Sequence, residues 1–275
     1  MVSWWHGGCF IRSVRALVGI PSVIFICLFI LGGESHAARV IPLEYRDGLI
    51  WVKVRTATSA APLNFLVDSG AGASVLNLPT AHRLGVRLGL PEKVRRVAAS
   101  ASAWRATDFH ADVAGIPVAQ NPLVLDLSET SAACSRTIDG LLGADFFSGR
   151  IVEIDFKAGC IRLLDKADAG GCCAVMPLKL EHAAMCVRVS VNGSALKWAR
   201  LDTGCDDGLH WVDGAGSGYV RTSLQLGGER ISNVRTALHR SAIFPSESGL
   251  LGNGVLSSYR VIIDGVNRRL LLARA

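Results

Sequence analysis

Two short sequences decide how this chain folds: FLVDSGAGASVLN at residues 65–77 and RLDTGCDDGLHWV at residues 200–212. In each of them an apolar stretch runs into an Asp, a hydroxyl residue and a Gly, and apolar residues follow. One such triplet is a weak signal, because short turns are generally rich in Asp, Ser and Gly. Here the two triplets stand at corresponding points of a longer internal repeat, so together they are a strong signal.

The repeat extends over most of the chain. IPLEYRDGLIWVKV at 41–54 returns as MPLKLEHAAMCVRV at 176–189, and the two Asp residues of the triplets, Asp68 and Asp202, keep almost the same separation. Further along, DGLLG at 139–143 matches SGLLG at 248–252, and VEIDF at 152–156 matches VIIDG at 261–265. Four matches in the same order predict a duplicated unit of roughly a hundred residues, which gives two similar lobes.

The fold class follows from the composition of the predicted elements. Most are short runs of Val, Ile and Leu bounded by Gly, Asn or Asp, which is typical of strands and turns. We therefore predict an all-β protein with two similar β-barrel lobes, a cleft between them and about one short helix per lobe. One helix is predicted over residues 78–84, ending at Gly85. The predicted lobes are residues 38–165 and 176–275, joined by an Ala/Gly-rich linker at 166–175.

The first lobe is longer than the second. About 25 additional residues fall between Asp68 and Asp139, and residues 94–110 contain much of this excess. This stretch is rich in small residues and then continues as strand-like sequence. It is either a mobile hairpin or a plain surface loop.

Composition excludes several classes of protein. Half of the 275 residues are hydrophobic and 19% are charged, which excludes a disordered chain. The net charge of +6 comes from scattered Lys and Arg, so we expect no nucleic-acid partner. The sequence contains no G-x-S-x-G, H-E-x-x-H or C-x-x-C motif. We therefore expect no serine-hydrolase site, no metal and no cofactor.

The N-terminus has the pattern of a targeting segment. Arg12 and Arg15 precede an uncharged run at 16–33, and a small-x-small site follows at 35–37. Residues 1–37 are therefore a signal peptide or a retained signal anchor, and residues 16–33 are just long enough to span a bilayer. Both alternatives predict export to the periplasm or the medium, with membrane attachment only if the segment is retained. Six cysteines follow residue 37, and export would permit disulfides, whose pairing the sequence does not fix.

The two triplet sequences, each followed by Leu-Leu-Gly at 141–143 and 250–252, resemble the active-site turns of aspartic proteases. A single lobe resembles the retropepsin-like unit, and the fused pair resembles the bilobal pepsin arrangement and bacterial chains of this class. The resemblance implies an aspartic endopeptidase that acts as a monomer on a peptide or protein substrate. A non-catalytic peptide-binding module on the same bilobal fold is the alternative.

The resemblance also implies residue roles. Asp68 and Asp202 would share one proton and activate a water molecule between them, because two adjacent carboxylates do not both ionise readily. The supporting residues of the two loops would be Ser69, Gly70, Thr203 and Gly204: the hydroxyls would cross-brace the loops, and the glycines would let the backbone approach the carboxyls.

Two departures from the pepsin pattern bear on function. Ala71 and Cys205 stand where pepsins place a hydroxyl residue that donates to the carboxylate, so we predict a pH optimum less acidic than that of a pepsin. No Tyr lies between Asp68 and Asp139, where pepsins place the Tyr of the flap, the hairpin that covers the cleft. The candidate flap residues here are Ser100, Ala101, Ser102 and Trp104.

Overall fold

The computed structural model describes residues 39–96, 99–214 and 216–274. The predicted targeting segment, residues 1–37, lies outside this part of the chain. Within the described residues, no helix has the length and apolar character needed to cross a membrane.

The first half of the chain contributes thirteen strands and three short helices to the described structure. They are β1 (Arg39–Pro42), β2 (Glu44–Arg46), β3 (Leu49–Thr56), β4 (Ser59–Val67), β5 (Val75–Asn77), α1 (Leu78–Arg83), β6 (Glu92–Arg96), β7 (Ala99–Arg105), β8 (Ala111–Val113), β9 (Ile116–Pro117), β10 (Leu123–Leu125), α2 (Ser128–Ala133), β11 (Gly140–Leu142), α3 (Ala144–Phe147), β12 (Ile151–Asp155) and β13 (Cys160–Leu164).

The second half contributes ten strands and one helix to the described structure. They are β14 (Cys172–Pro177), β15 (Lys179–Glu181), β16 (Ala184–Val191), β17 (Lys197–Leu201), β18 (Leu209–Val212), β19 (Gly218–Leu226), β20 (Glu229–His239), β21 (Gly249–Leu251), α4 (Asn253–Leu256), β22 (Tyr259–Asp264) and β23 (Arg269–Arg274). The all-β prediction is confirmed. The four helices are short and unevenly divided, because the first half has three of them.

The sequence repeat is also a structural repeat. In the first lobe β4, β11, β5 and β10 lie side by side, and in the second lobe β17, β21, β18 and β20 lie in the same order. In both lobes the Leu-Leu-Gly strand runs parallel to the strand that leads into Asp68 or Asp202. It runs antiparallel to the next strand after that Asp, which is β5 in the first lobe and β18 in the second. This arrangement places both Asp-hydroxyl-Gly loops at equivalent strand ends.

The two lobes differ in how their sheets close. In the second lobe β16 pairs with both β17 and β19, so β16, β17, β21, β18, β20 and β19 form a closed ring of six strands. The described pairings of the first lobe form an open path instead, from the hairpin of β6 and β7 to the hairpin of β8 and β9.

A third sheet joins the halves. Its order is β1-β13-β12-β22-β23-β14, so strands of the first half lie directly beside strands of the second. At its centre β12 and β22 pair antiparallel, with Ile151 opposite Asp264. These two strands carry the repeated 152–156 and 261–265 sequences. A pseudo-two-fold axis therefore passes between these two strands, and both lobes rest on the same six-stranded sheet.

Local sequence explains the helix that was predicted. Pro79 stands in the first turn of α1, where its missing N–H costs nothing. The helix ends at Arg83, and Gly85 adopts a φ of +68° just beyond it, a conformation that glycine tolerates best. The prediction over residues 78–84 is therefore confirmed to within one residue.

The six described cysteines are all free thiols, and three of them are buried: Cys160, Cys186 and Cys205. Burial raises the pKa of Cys186 to about 12. These thiols pack as small apolar side chains.

Candidate active site

The two Asp-hydroxyl-Gly loops begin with matching backbone hydrogen bonds. The N–H of Asp68 donates to the carbonyl of Leu142 at 2.9 Å, and the N–H of Asp202 donates to the carbonyl of Leu251 at 2.9 Å. Each acceptor is the second Leu of a Leu-Leu-Gly strand. These strands therefore support the loops from beneath.

The hydroxyl residues connect the loops across the lobe interface. The hydroxyl of Ser69 donates to the carbonyl of Leu201 at 2.8 Å and accepts the N–H of Thr203 at 3.1 Å. In return the hydroxyl of Thr203 donates to the carbonyl of Val67 at 2.8 Å and accepts the N–H of Ser69 at 2.9 Å. Both hydroxyl residues are fully buried. The four bonds form a reciprocal cross-brace, which fixes the position of one loop relative to the other.

The glycines bring the acids together. A Cβ placed on Gly70 would lie 2.5 Å from the carboxyl carbon of Asp202, and one placed on Gly204 would lie 2.6 Å from that of Asp68. Only a residue without a side chain permits this approach. The two carboxyls consequently lie close together between the lobes, near enough for the charge of Asp68 to raise the pKa of Asp202.

Backbone groups orient the carboxyls. The N–H of Ala71 donates to Oδ1 of Asp68 at 2.9 Å, and the N–H of Gly204 donates to Oδ1 of Asp202 at 2.9 Å. Ala71 contributes no side-chain hydroxyl to this arrangement, and the thiol of Cys205 is buried. Burial and the charge of Asp202 raise the pKa of that thiol, so it stays neutral.

The environment raises the affinity of the pair for a proton. Burial raises the pKa of Asp68, although the backbone N–H groups around it work in the opposite direction. Burial also raises the pKa of Asp202 well above its usual range, and the negative charge of Asp68 raises it further. A pair with these properties holds one proton between its two carboxyls.

The pair lies in a cavity of about 510 Å³. Six apolar side chains of the first lobe line much of it: Leu66, Val75, Leu123, Leu125, Leu127 and Leu141. On the side of the second lobe the lining includes Arg200 and Phe244. The cavity is therefore apolar on one wall and carries a cation on the other.

The additional residues of the first lobe include a hairpin. β6 and β7 pair antiparallel with Lys93 opposite Ser102 and Val94 opposite Ala101. Val94 lines the cavity, Ser102 is exposed, and Ala101 packs against the cluster that contains Leu66.

The other candidate flap residues, Ser100 and Trp104, also lie on β7. Trp104 pairs with Val124 of β10 and packs against the main core. The predicted stretch 94–110 thus contains most of a hairpin whose β6 strand reaches the cavity through Val94.

Three residues of the site have no counterpart in the sequence predictions: Arg200, Phe244 and Glu247. The repeat did contain a signal for the first of them. Arg200 occupies the position of Leu66, so a charged residue replaces an apolar one in a buried strand. Glu247 and Phe244 belong to the connection between β20 and β21 and have no distinctive sequence context.

The described residues offer no alternative centre for a metal, since no three His, Cys, Asp or Glu side chains among them are grouped to hold an ion. The acids of the repeated strands, Asp155 and Asp264, accept hydrogen bonds within turns. Asp155 accepts the N–H of Ala158 at 2.8 Å, and Asp264 accepts the N–H of Asn267 at 2.8 Å.

Comparisons with known proteins agree with the fold described above. Residues 52–146 match the sequence model of a family described as aspartyl protease. No curated protein matches the chain at a significant level. Among solved structures, the aspartic proteinase from Irpex lacteus is similar with a TM-score of 0.58 and 13% identity, over 87% of this chain and 98% of that one. Basic 7S globulin from soybean is similar with a TM-score of 0.59 and 13% identity, over 86% and 95% of the two chains.

The fold identifies the structural class. The chain has the bilobal fold of pepsin-like aspartic proteinases, built from two retropepsin-like units. This fold and the match of residues 52–146 support a protease-type function.

Proposed function

We propose that this protein is an aspartic endopeptidase that hydrolyses peptide bonds with water activated between Asp68 and Asp202. The observation that carries this proposal is the close approach of the two carboxyls at the lobe interface, where each lies against the glycine of the opposite loop. A purely structural acid would be paired with a cation or would cap a turn, as Asp264 does with Arg269 and Asn267.

The proposed mechanism starts with the shared proton on Asp202, because both burial and the charge of Asp68 raise the pKa of that acid. Ionised Asp68 takes a proton from water as the oxygen attacks the peptide carbonyl, and protonated Asp202 donates to the oxygen that becomes negative. Asp68 then gives its proton to the amine nitrogen as the C–N bond breaks, and the Asp202 carboxylate takes back a proton from a hydroxyl of the tetrahedral intermediate, which becomes the product carboxyl group. The steps balance without a covalent intermediate.

Burial and the absent hydroxyls support a less acidic optimum. Neither Ala71 nor Cys205 donates a hydroxyl hydrogen bond that would favour an ionised carboxyl. Burial raises the pKa of both acids. Activity should therefore peak in mildly acidic solution. A maximum near pH 2–3, the range set by a pepsin-like pair, would contradict this expectation.

The proposal also covers the substrate, the oligomeric state and the location of the enzyme. The substrate is a peptide or protein that lies in the cavity between the lobes. The enzyme acts as a monomer, since one chain supplies both acids, and works outside the cytoplasm if residues 1–37 direct export. Neither a cofactor nor a metal takes part in the proposed steps.

The alternative is a non-catalytic peptide-binding module. Similarity to a protein named as a globulin, as well as to one named as a proteinase, favours keeping this second candidate. In both cases the apolar wall of the cavity would hold the peptide.

A peptide-library experiment separates the two. The full chain and its Asp202→Asn variant are incubated with the library between pH 3 and pH 8, and products are identified by mass spectrometry. Binding of the same peptides is measured in parallel. We expect cleavage by the unmodified chain only, with peptide binding retained in the variant. Binding without cleavage in both proteins would support the binding module and overturn the endopeptidase.

A further inference from the structure

A buried ion pair lies beside Asp68 and Asp202. Arg200 lies two residues before Asp202, near the end of β17. Its Nε donates to Oε2 of Glu247 at 2.7 Å, and its Nη2 donates to Oε1 at 2.6 Å. Arg200 is 4% exposed and Glu247 is 5% exposed. The pair is therefore bidentate and almost completely removed from solvent.

The same guanidinium crosses the lobe interface. Nη1 of Arg200 donates to the carbonyl oxygen of Gly70 at 2.7 Å. Gly70 belongs to the opposite lobe and is the residue whose close approach to Asp202 leaves no room for a side chain. A bond at this carbonyl restrains the loop that carries Asp68. It adds a fifth link between the loops to the four of the Ser69–Thr203 cross-brace.

The connection between β20 and β21 holds the arginine from two sides. It supplies Glu247 as the anion and also Phe244, whose ring centroid lies 3.6 Å from the guanidinium carbon. A cation over an aromatic face is attracted by the ring. The planar guanidinium is thus fixed in direction, which a flexible ammonium in its place would not be.

Stability alone does not account for this arrangement. The first lobe has Leu66 at the same point of the repeat, and Leu66 packs within an apolar cluster. Replacing a buried ion pair by apolar side chains of similar volume is often neutral or stabilising, because two charges no longer have to be desolvated. The second lobe therefore has a charged pair where an apolar pair would suffice for folding.

The charge of Arg200 acts on the acids. Several ionisable groups face the pair from the cavity wall or lie directly behind it: Arg200 and Glu247 from the second lobe, Glu129 from the first, and the buried thiol of Cys205. Of these, Arg200 is the cation, and its charge favours the ionised form of both Asp68 and Asp202. Burial has the larger and opposite effect.

We propose that Arg200, clamped by Glu247, is a positioning residue: it holds the Gly70 loop from the opposite lobe and places a fixed positive charge beside the two acids. This inference rests on the proposed endopeptidase function. In this proposal Arg200 acts on the reaction through Asp68 and Asp202.

The kinetic test uses variants that separate charge from geometry. Arg200→Gln with Glu247→Gln removes both charges, keeps similar volume and leaves no orphaned ion. We expect both limbs of its pH profile of kcat/KM to move upward by about 0.5–1 pH unit, because a nearby cation lowers carboxyl pKa values. We also expect kcat to fall about tenfold with KM nearly unchanged, since the loop is less well placed.

Arg200→Lys keeps the positive charge but loses the planar guanidinium that makes two hydrogen bonds to Glu247. It should leave the pH limbs within about 0.3 unit of their original positions and lower kcat less than the double variant does. The matched control is the double variant Arg162→Gln with Glu153→Gln, an ion pair of 2.7 Å on the shared six-stranded sheet. This pair is less buried than Arg200 and Glu247, and Arg162 also contacts Asp155, but neither of its residues lines the cavity, so the variant should leave the profile unchanged.

Two kinetic results would overturn the proposal. A folded double variant with an unchanged pH profile and unchanged kcat would overturn the proposal. If that variant does not fold, Arg200→Lys decides instead, and a kcat equal to that of the unmodified chain overturns it.

Failure of the endopeptidase function itself would appear as an inactive unmodified chain. Titration of ¹³C-labelled Asp carboxyls by NMR then provides the test. Equal pKa values for Asp68 and Asp202 in the double variant and in the unmodified chain would overturn the inference. If the double variant does not fold, equal pKa values in Arg200→Lys, which keeps the cation, and in Arg200→Gln, which lacks it, would do the same.

Discussion

Gly70 and Asp202 belong to opposite lobes, yet a single added carbon on Gly70 would lie 2.5 Å from the carboxyl carbon of Asp202. Gly204 has the same relation to Asp68 at 2.6 Å. The two contacts are reciprocal because the lobes are copies of one another. The site therefore depends on two positions at which no side chain is tolerated.

The first prediction concerns these glycines. Gly70→Ala and Gly204→Ala should each separate the carboxyls and lower kcat/KM by at least about 100-fold, since displacement of a reacting group by about 1 Å has this effect. Gly228→Ala is the control, because its added carbon would make only an ordinary contact of 3.5 Å with the carbonyl oxygen of Cys173. Steady-state cleavage of one peptide measures all three, and full activity in Gly70→Ala would contradict the close approach.

The second prediction concerns the cross-brace. Thr203→Val removes a hydroxyl and leaves the buried N–H of Ser69 and the carbonyl of Val67 without their partner. The free energy of unfolding should fall by about 2–3 kcal/mol, because unsatisfied buried polar groups are costly. Thr203→Ser retains the hydroxyl and should lose less than about 1 kcal/mol. Urea unfolding measures both variants, and equal losses would show that the hydroxyl bonds do not stabilise the interface.

The third prediction concerns stability and pH. The pKa of Asp202 is raised on folding, so the folded chain binds a proton more tightly than the unfolded one. The resulting stabilisation is present below the unfolded pKa of about 3.9 and is lost as the pH rises through the folded value. Asp202→Asn should therefore raise the melting temperature at pH 7, by about 2–4 °C for each 1 kcal/mol regained.

The control for this prediction has the opposite sign. Burial works against ionisation of Asp155, yet the N–H of Ala158 and the guanidinium of Arg162 lower its pKa overall. Its stabilisation is present above the unfolded pKa and is lost as the pH falls, so Asp155→Asn should lower the melting temperature at pH 7. Thermal unfolding at pH 4 and pH 7 measures both variants. A melting temperature of Asp202→Asn below that of the unmodified chain at pH 7 would contradict the raised pKa.

The fourth prediction concerns a strained turn. In the first copy of the repeat, Asp47 and Gly48 form a turn with φ values of 53° and 76°. The second copy places His182 and Ala183 there, with φ values of 46° and 62°. A left-handed conformation is unfavourable for Ala, so Ala183→Gly should stabilise the fold by about 0.5–1 kcal/mol.

The converse substitution provides the comparison. Gly48→Ala would bring a Cβ to 2.6 Å from Cβ of Asp206 and should destabilise the fold by more than 1 kcal/mol, of the order expected for overpacking. Denaturant unfolding of both variants is sufficient. A loss of stability in Ala183→Gly would show that the turn is not strained.

Much of the fold could be predicted because the internal repeat allows the two halves of the chain to be aligned with each other. The repeat related Asp68 to Asp202 and one Leu-Leu-Gly to the other, and the structure places each pair at equivalent positions. Helices α2, α3 and α4 were not located from the sequence, because they are four to six residues long and, unlike α1, have no proline in the first turn. The shared sheet escaped it too, since nothing local specifies that β12 pairs with β22.

The same reasoning explains what could be predicted of the site. The acids, hydroxyls and glycines are contiguous in sequence, so their roles could be inferred together. The partner of Arg200 is separated from it by 47 residues and comes from an irregular connection. A pairing of this kind depends on the tertiary path of the chain, which the sequence pattern does not contain.

The most direct test of the account compares kcat/KM for one cleaved peptide in the full chain and in its Asp68→Asn, Asp202→Asn and Asp155→Asn variants. If water is activated between the two acids, either substitution in the pair lowers the value by at least about 1,000-fold, while Asp155→Asn leaves it within about twofold. Substantial cleavage by Asp68→Asn or Asp202→Asn would contradict it.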